Sequence, residues 1–366
     1  MATKSRVVEK SFRLGSGRYI QENGAIALLG EEIARLKCKK PFILGGKTAL
    51  SLTKDTLLKS LSDAGMESVV YEYLGFCNAD HCDRIVASED FASCDCVVGV
   101  GGGNIMDAAK LCAALSGRPV INIPTSSATC AAYTPLSVCY NEAGQTVGSK
   151  HLKEEVNVIL ADMDILCRQP VRLMLSGVYD SLAKFVETRQ RLVGKAEDEV
   201  DIGLRSSFVL SEFIYDRLIN DLPTAAEDVR AGRDSKAVYD VVYLTIAVTG
   251  VISGLARGSN QCAIAHKIYE STRTLYTEAS KNSLHGEMVG IGLRAQMIYN
   301  GDADKEPEFT ARMERLGVPT RLSQIGVPVG EETVERYYQN IVASSAMTGT
   351  NDEEKALLRT VLREII

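Results

Sequence analysis

Apolar positions in the first part of the chain fall into short β-branched runs, separated by longer stretches in which they recur every three to four residues. The runs at 12–14, 41–44, 68–74, 96–100 and 119–123 read as strands. The stretches 24–37, 49–64 and 104–116 read as helices, with one more helix ahead of residue 96. Strands alternating with helices of this length build βαβ units and a mostly parallel sheet. After Pro124 the period changes. Residues 136–140 and 156–160 read as strands, with Asn141-Glu142-Ala143-Gly144 as the turn between them and the rest as loop. Beyond Pro170 the pattern is helical almost to the end, at 173–193, 199–218, 235–255, 262–273, 285–299 and 331–342. The expectation is an α/β domain over residues 1–165 and an all-helical domain over 166–366.

Composition narrows the class of partner. The 366 residues are 45% hydrophobic and 24% charged, enough for two cores. The formal charge of -6 is spread without a basic stripe, which removes the footprint of nucleic-acid or anionic-membrane binding. Residues 1–10 lack the apolar segment of a secretory signal, and no run approaches the roughly 20 apolar residues of a membrane span. A cytoplasmic protein is expected, with small molecules and copies of itself as partners. Of ten cysteines, Cys38, Cys94, Cys96, Cys112, Cys139 and Cys262 sit in apolar patterns and read as reduced core thiols. Cys77 and Cys82 flank His81 without the spacing of a zinc knuckle. His81 and His151 are expected in solvent.

The most informative stretch runs from Val97 to Lys110, an apolar strand entering Gly101-Gly102-Gly103 and then directly a helix beginning at Asn104. Backbone N–H groups in such a turn can approach a pyrophosphate, and the helix N-terminus adds a positive partial charge. The spacing is neither G-x-G-x-x-G nor a Walker loop, so the pattern alone leaves a tight structural turn as the competing reading. Asp107 reads as a first-turn residue placed favourably against the helix dipole.

The stretch is similar to the GGG-x-x-x-D-x-A-K segment of the glycerol dehydrogenase and iron-type alcohol dehydrogenase superfamily. The next residues, Pro124-Thr125 through Thr129 to Leu136-Ser137-Val138-Cys139-Tyr140, resemble its PT-x-x-x-T…LSV-x-Y segment without a gap. The resemblance implies a dehydroquinate synthase-like fold and an enzyme that moves hydride between NAD(P)(H) and a CH–OH carbon. It also implies that Gly102, Gly103, Asn104, Thr125, Thr134, Leu136 and Tyr140 line the cofactor.

Two of the four histidines, His266 and His285, lie in the helical half. Gly177-Val178-Tyr179-Asp180-Ser181-Leu182-Ala183-Lys184 resembles the superfamily's aspartate helix, and the Ala265-His266 and His285-Gly286-Glu287 segments its two histidine motifs. The resemblance makes Asp180, His266 and His285 the metal ligands and catalytic residues. Tyr269 stands where many members carry another histidine. Three protein ligands favour zinc over iron, with manganese and nickel also compatible with the set, and leave positions open for a substrate oxygen.

Where glycerol dehydrogenases carry an aspartate for a substrate hydroxyl, the ungapped alignment places Cys130, a poor polyol ligand. The string around it is similar to the hydroxycarboxylate dehydrogenase branch. The expected substrate is therefore a 2-hydroxy or 2-oxo acid, bound near Cys130, Asp180 and His266, with glycerol or another polyol as the alternative. A substrate carboxylate wants a cation, and Arg257, Lys267 and Arg273 are near the metal motif in sequence. At the end of the 41–44 strand, Gly46 and Lys47 stand where NAD-specific relatives keep an aspartate, which tilts the expectation toward NADP(H). A 3-dehydroquinate synthase-like lyase or a glycerol-1-phosphate dehydrogenase would need a denser basic cluster. A non-catalytic nucleotide-binding protein would show a broken metal set.

Overall fold

The structure, a computed structural model, describes residues 15–256 and 261–366. The strand expected at 12–14 and the cation Arg257 lie outside the described residues.

Eight strands are present among the described residues: β1 (Arg18–Glu22), β2 (Pro41–Gly45), β3 (Val69–Glu72), β4 (Cys96–Gly101), β5 (Val120–Pro124), β6 (Leu136–Tyr140), β7 (Thr146–His151) and β8 (Val158–Asp162). Six of them form one sheet in the order β1-β8-β5-β4-β2-β3, with every neighbouring pair parallel. Strands β2, β4, β5 and β8 are buried along their whole length, so both faces must be apolar and they read as unbroken hydrophobic runs. Alternation still decides which core each residue enters. Phe42 and Leu44 face one apolar cluster, and Ile43, Val98 and Ile121 face the other. The first of these clusters continues without a break into Met174, Val178 and Leu182 of the helical half. The sheet and the helices that carry the site therefore share a core.

From β2 the chain moves outward to β3 and then crosses back to place β4 on the opposite side of β2. Connections leave β2 and β4 in opposite directions, and a crevice opens outside their carboxyl ends, the position where open α/β sheets take ligands.

Several elements differ from the expectation. The turn at Asn141–Gly144 leads into β7, which pairs antiparallel with β6, and not into β8. β7 read as loop because almost all of its residues are exposed and it has no apolar alternation. The polar helices Glu306–Leu316 and Asp352–Ile365 add to the expected set; each buries only a narrow stripe, Glu306, Phe309 and Met313 in one and Leu358, Val361, Leu362 and Ile365 in the other. The helix expected at 199–218 spans Ile202–Arg230 and passes through Pro223.

The segment Lys236–Ala256 is long and apolar enough to cross a membrane by length and composition, contrary to the expectation that no run comes near that length. More than half of its most apolar window is buried inside the protein, Val238, Val241, Ile246 and Ile252 among it. All ten cysteines are free thiols. His81 is not on a solvent loop: it sits on the helix Ala79–Val86, stacked on Tyr73 at 4.6 Å and 2.9 Å from the Tyr71 hydroxyl.

Candidate active site

At the end of β4 the glycines do three different things. A Cβ on Gly99 would lie 2.6 Å from that of Ala109, so only glycine lets the following helix (Gly103–Ser116, the cradle helix) approach the strand so closely. Gly101 has φ +156°, which L side chains rarely adopt, and a Cβ there would meet Ile105 at 2.8 Å. Gly102 is the N-cap and offers no side chain to the helix. Gly102, Gly103 and Asn104 are partly exposed, and a Cβ on Gly102 would find only Ser126 Oγ nearby, at 3.6 Å. The helix N-terminus thus faces open space with no side-chain cap, a cradle that fits a pyrophosphate. Gly46 closes the other side of the crevice, its N–H donating to the Val100 carbonyl (3.2 Å), and Lys47 is exposed beyond it.

Asp107 is not a first-turn residue, because the helix starts at Gly103. It is buried, pairs with Lys110 (2.9 Å) and accepts from the Val138 N–H (3.2 Å). Burial pushes its carboxyl up, and Lys110 opposes that. The Lys110 ammonium also donates to the carbonyls of Thr134 (2.8 Å) and Leu136. Two charges on the cradle helix therefore clamp the turn at Thr134 and the start of β6, the strand that carries Leu136 and Tyr140. From the other side, the Tyr140 hydroxyl lies 3.4 Å from that of Tyr269.

The helix Val171–Leu192 supplies Asp180, and its side of the site is set by contact with the loop after β5: a Cβ on Gly177 would sit 1.8 Å from the Ser127 carbonyl oxygen. Asp180 Oδ1 is 3.2 Å from His285 Nε2 and 3.4 Å from His266 Nε2. Donor atoms of the three residues all lie within 4.8 Å of one another. A tetrahedral ion with bonds of about 2.0–2.1 Å has edges of roughly 3.3 Å, so the spacing and the N/N/O donor set fit a divalent metal. The electrostatics point the same way. Burial opposes ionisation of Asp180, but His285, His266 and Lys184 hold its carboxyl well below the usual range. Burial likewise opposes a charge on His266, yet Cys262, Glu187 and Asp180 raise it well above the ordinary imidazole value. The cluster demands positive charge, which a proton or a divalent cation can supply.

Glu187 is a residue that sequence reasoning missed. Two turns after Asp180 on the same helix face, its Oε2 lies 2.5 Å from His266 Nδ1, and its Oε1 accepts the N–H groups of Ala263 (2.7 Å) and His266 (2.9 Å). Seven-residue spacing on a helix was the available signal. The His285 motif has an equally local logic. His285 opens the helix His285–Tyr299, and Glu287 caps it by accepting the Leu284 N–H (2.9 Å). Arg172 grips Glu287 with two bonds, 2.5 and 2.7 Å. A Cβ on Gly286 would fall 1.7 Å from the Ser176 carbonyl oxygen, so glycine is what lets His285 reach Asp180.

None of the three cations expected near the metal motif is shown free. Lys267 pairs with Glu270 at 2.5 Å, Arg273 donates to the carbonyls of Ser280 and Ser283 (2.7 Å each), and Arg257 lies outside the described residues. The cation that does face the site is Lys184, one turn after Asp180; its charge interacts with Asp180, Cys262, Cys130 and Glu187. Cys130 is buried, and burial pushes its thiol up to about 11, against the pull of Lys184.

A glycine-rich cradle at a sheet's switch point and a convergent Asp–His–His set on packed helices are the two features that the comparisons must account for. Residues 16–163 match the family described as iron-containing alcohol dehydrogenase. Hydroxycarboxylate dehydrogenase A of Escherichia coli is 27% identical over 319 residues, covering 87% of this chain and 86% of that protein. Glycerol dehydrogenase of Thermotoga maritima is 27% identical over 313 residues, 85% of this chain and 84% of the relative. The fold matches the crystal structure of a probable glycerol dehydrogenase from Sinorhizobium meliloti with a TM-score of 0.82 at 22% identity, covering 97% of each chain. The chain is thus similar to the glycerol dehydrogenases and iron-containing alcohol dehydrogenases, oxidoreductases that act on CH–OH groups.

Proposed function

We propose that the protein oxidises small 2-hydroxy acids, or reduces 2-oxo acids, in the helical half (166–366), with the nucleotide held by the α/β half (1–165). When bound, a divalent metal held by Asp180, His266 and His285, for which zinc suits the three-ligand N/N/O set, supplies a Lewis acid for the substrate oxygen, and the nicotinamide supplies or accepts hydride. Asp180 and the two imidazoles orient the reacting oxygen. Glu187 holds His266 in the tautomer that turns Nε2 toward Asp180. Gly102, Gly103 and Asn104 take the pyrophosphate, while Thr125 after β5, Thr134 and the β6 residues Leu136 and Tyr140 line the nicotinamide half, with Lys110 holding Thr134 and Leu136 in place. Gly46 and Lys47 favour acceptance of NADP(H), because they put no carboxylate against a 2′-phosphate.

The observation that carries the substrate reading is Cys130, a neutral buried thiol within the electrostatic reach of Asp180 and Lys184. The likeness to hydroxycarboxylate dehydrogenase A supports it, and the likeness to glycerol dehydrogenases supports the polyol alternative. Steady-state assays with NADH and NADPH against 2-oxobutyrate, neutral aldehydes and glycerol test it. A kcat/KM ordering led by glycerol overturns it. The ten free thiols suit the cytosol. The exposed stripe Ile202, Val209 and Phe213 suits a homo-oligomer, which light scattering would register.

A further inference from the structure

We propose that Lys184 is the specificity-determining cation that receives the substrate's carboxylate. This rests on the 2-oxo acid reading above and names the group that reads the acid.

Position comes first. Asp180, Lys184 and Glu187 lie on one face of the helix Val171–Leu192, so Lys184 stands one turn from a metal-ligating carboxylate, with Cβ atoms about 5–6 Å apart. Its side chain is part-buried and is surrounded by site residues, with Asp180, Cys262, Cys130 and Glu187 all acting on its charge. In a 2-oxo acid the carboxylate is bonded directly to the carbon that carries the reacting oxygen. A cation for it must therefore stand next to the metal ligands, where Lys184 is.

The second observation is that the ammonium is unspent. Among the described residues, Asp180 is engaged with both histidines and Glu187 with His266 and two backbone N–H groups. Lys184, beside both carboxylates, makes neither an ion pair nor a hydrogen bond with any described residue. Lys110, Lys267 and Arg273 are all committed to other partners. A part-buried lysine with its three donors unused among the described residues is an arrangement that a bound anion completes.

The third is the charge of the site. Lys184 has no ion-pair partner among the described residues, and burial opposes a charge on the Cys130 thiol within its electrostatic reach, so an anionic substrate supplies the missing countercharge. An aspartate in place of Cys130, as the resemblance implies for glycerol dehydrogenases, would supply it within the protein and leave a site suited to uncharged polyols. Cys130 and Lys184 thus form one specificity device: the thiol leaves the lysine's charge for the substrate.

The test uses metal-loaded wild-type, Lys184→Met and Lys184→Arg protein with equal metal content and thermal stability confirmed. Oxamate, an unreactive isostere of a 2-oxo acid, is titrated calorimetrically in the presence of the oxidised or reduced nicotinamide. The kcat/KM ratio of 2-oxobutyrate to a neutral aldehyde is measured in parallel. Loss of one charge-assisted contact is expected to weaken oxamate binding in Lys184→Met by about tenfold to a hundredfold and to lower the 2-oxobutyrate/aldehyde ratio by a similar factor, with Lys184→Arg recovering part of both. If the wild type binds oxamate and prefers 2-oxo acids while Lys184→Met keeps the same affinity and ratio, the assignment of Lys184 is overturned and the substrate class stands. If the wild type neither binds oxamate nor prefers 2-oxo acids, both are overturned.

Discussion

Glu187 Oε2 lies 2.5 Å from Nδ1 of His266, and through that bond a residue that does not face the substrate decides which nitrogen of a metal ligand is free. A carboxylate accepts the Nδ1–H hydrogen bond, so Nε2, which faces Asp180, is the nitrogen left to bind a metal. An amide presenting its N–H at the same place would reverse the tautomer.

Glu187→Gln is therefore expected to lower metal affinity about 10- to 100-fold while the backbone bonds from Ala263 and His266 keep the helix start in place. Metal content after dialysis against graded chelator reads the effect. Unchanged retention would mean that His266 needs no positioning partner.

Asp180→Ala and His266→Ala should each remove metal and turnover but leave dinucleotide binding nearly intact, because the cradle at Gly102–Gly103 is built on β4 and its helix and not on these residues. Elemental analysis and nucleotide fluorescence titration on the same samples separate the two functions. Wild-type metal content in either variant would refute the three-ligand set.

Gly286→Ala places a methyl group 1.7 Å from the Ser176 carbonyl oxygen, and two backbones must part to admit it. Overpacking of this kind costs typically ~1–3 kcal/mol, and here the displaced residue is His285. A lower Tm together with loss of metal is expected. A fall in Tm with full metal occupancy would show that the His285 helix can shift without moving its ligand.

Lys110→Met leaves Asp107 as an uncompensated buried charge and frees the Thr134 and Leu136 carbonyls. Breaking such a pair costs roughly 3–5 kcal/mol, whereas the double variant Asp107→Asn/Lys110→Met should recover part of it. Urea unfolding of the three proteins gives the cycle. In the double variant the KM for the nicotinamide should stay raised even as stability returns, since the turn at Thr134 has lost its clamp.

Cys130→Asp should add activity on glycerol and weaken activity on 2-oxo acids, by about tenfold to a hundredfold in kcat/KM for one charged hydrogen bond gained or lost. A side-by-side comparison at one pH and saturating cofactor decides it. An unchanged rank order of glycerol and 2-oxobutyrate would show that residue 130 does not face the substrate.

Much of this protein is written locally. Strand runs such as Pro41–Gly45 and Cys96–Gly101 are buried on both faces of a parallel sheet, so they need unbroken apolar stretches that any reader of the chain can see. Three glycines between a strand and a helix place a cradle, and Asp180, His266 and His285 sit in motifs short enough to read one at a time. β7 is not legible in the chain because its residues face solvent, nor is the helix Asp352–Ile365, because only a narrow stripe of it is buried. Tertiary structure alone decided which charges are available. Lys267 and Arg273 are close to His266 in sequence, yet Lys267 pairs with Glu270, and both terminal nitrogens of Arg273 donate to the carbonyls of Ser280 and Ser283, leaving only its buried Nε without a partner. Lys184 lies more than eighty residues away in sequence and faces His266's site because two helices pack against one another. A salt bridge or a free ammonium is a property of three-dimensional neighbours, and residue spacing along the chain does not contain it.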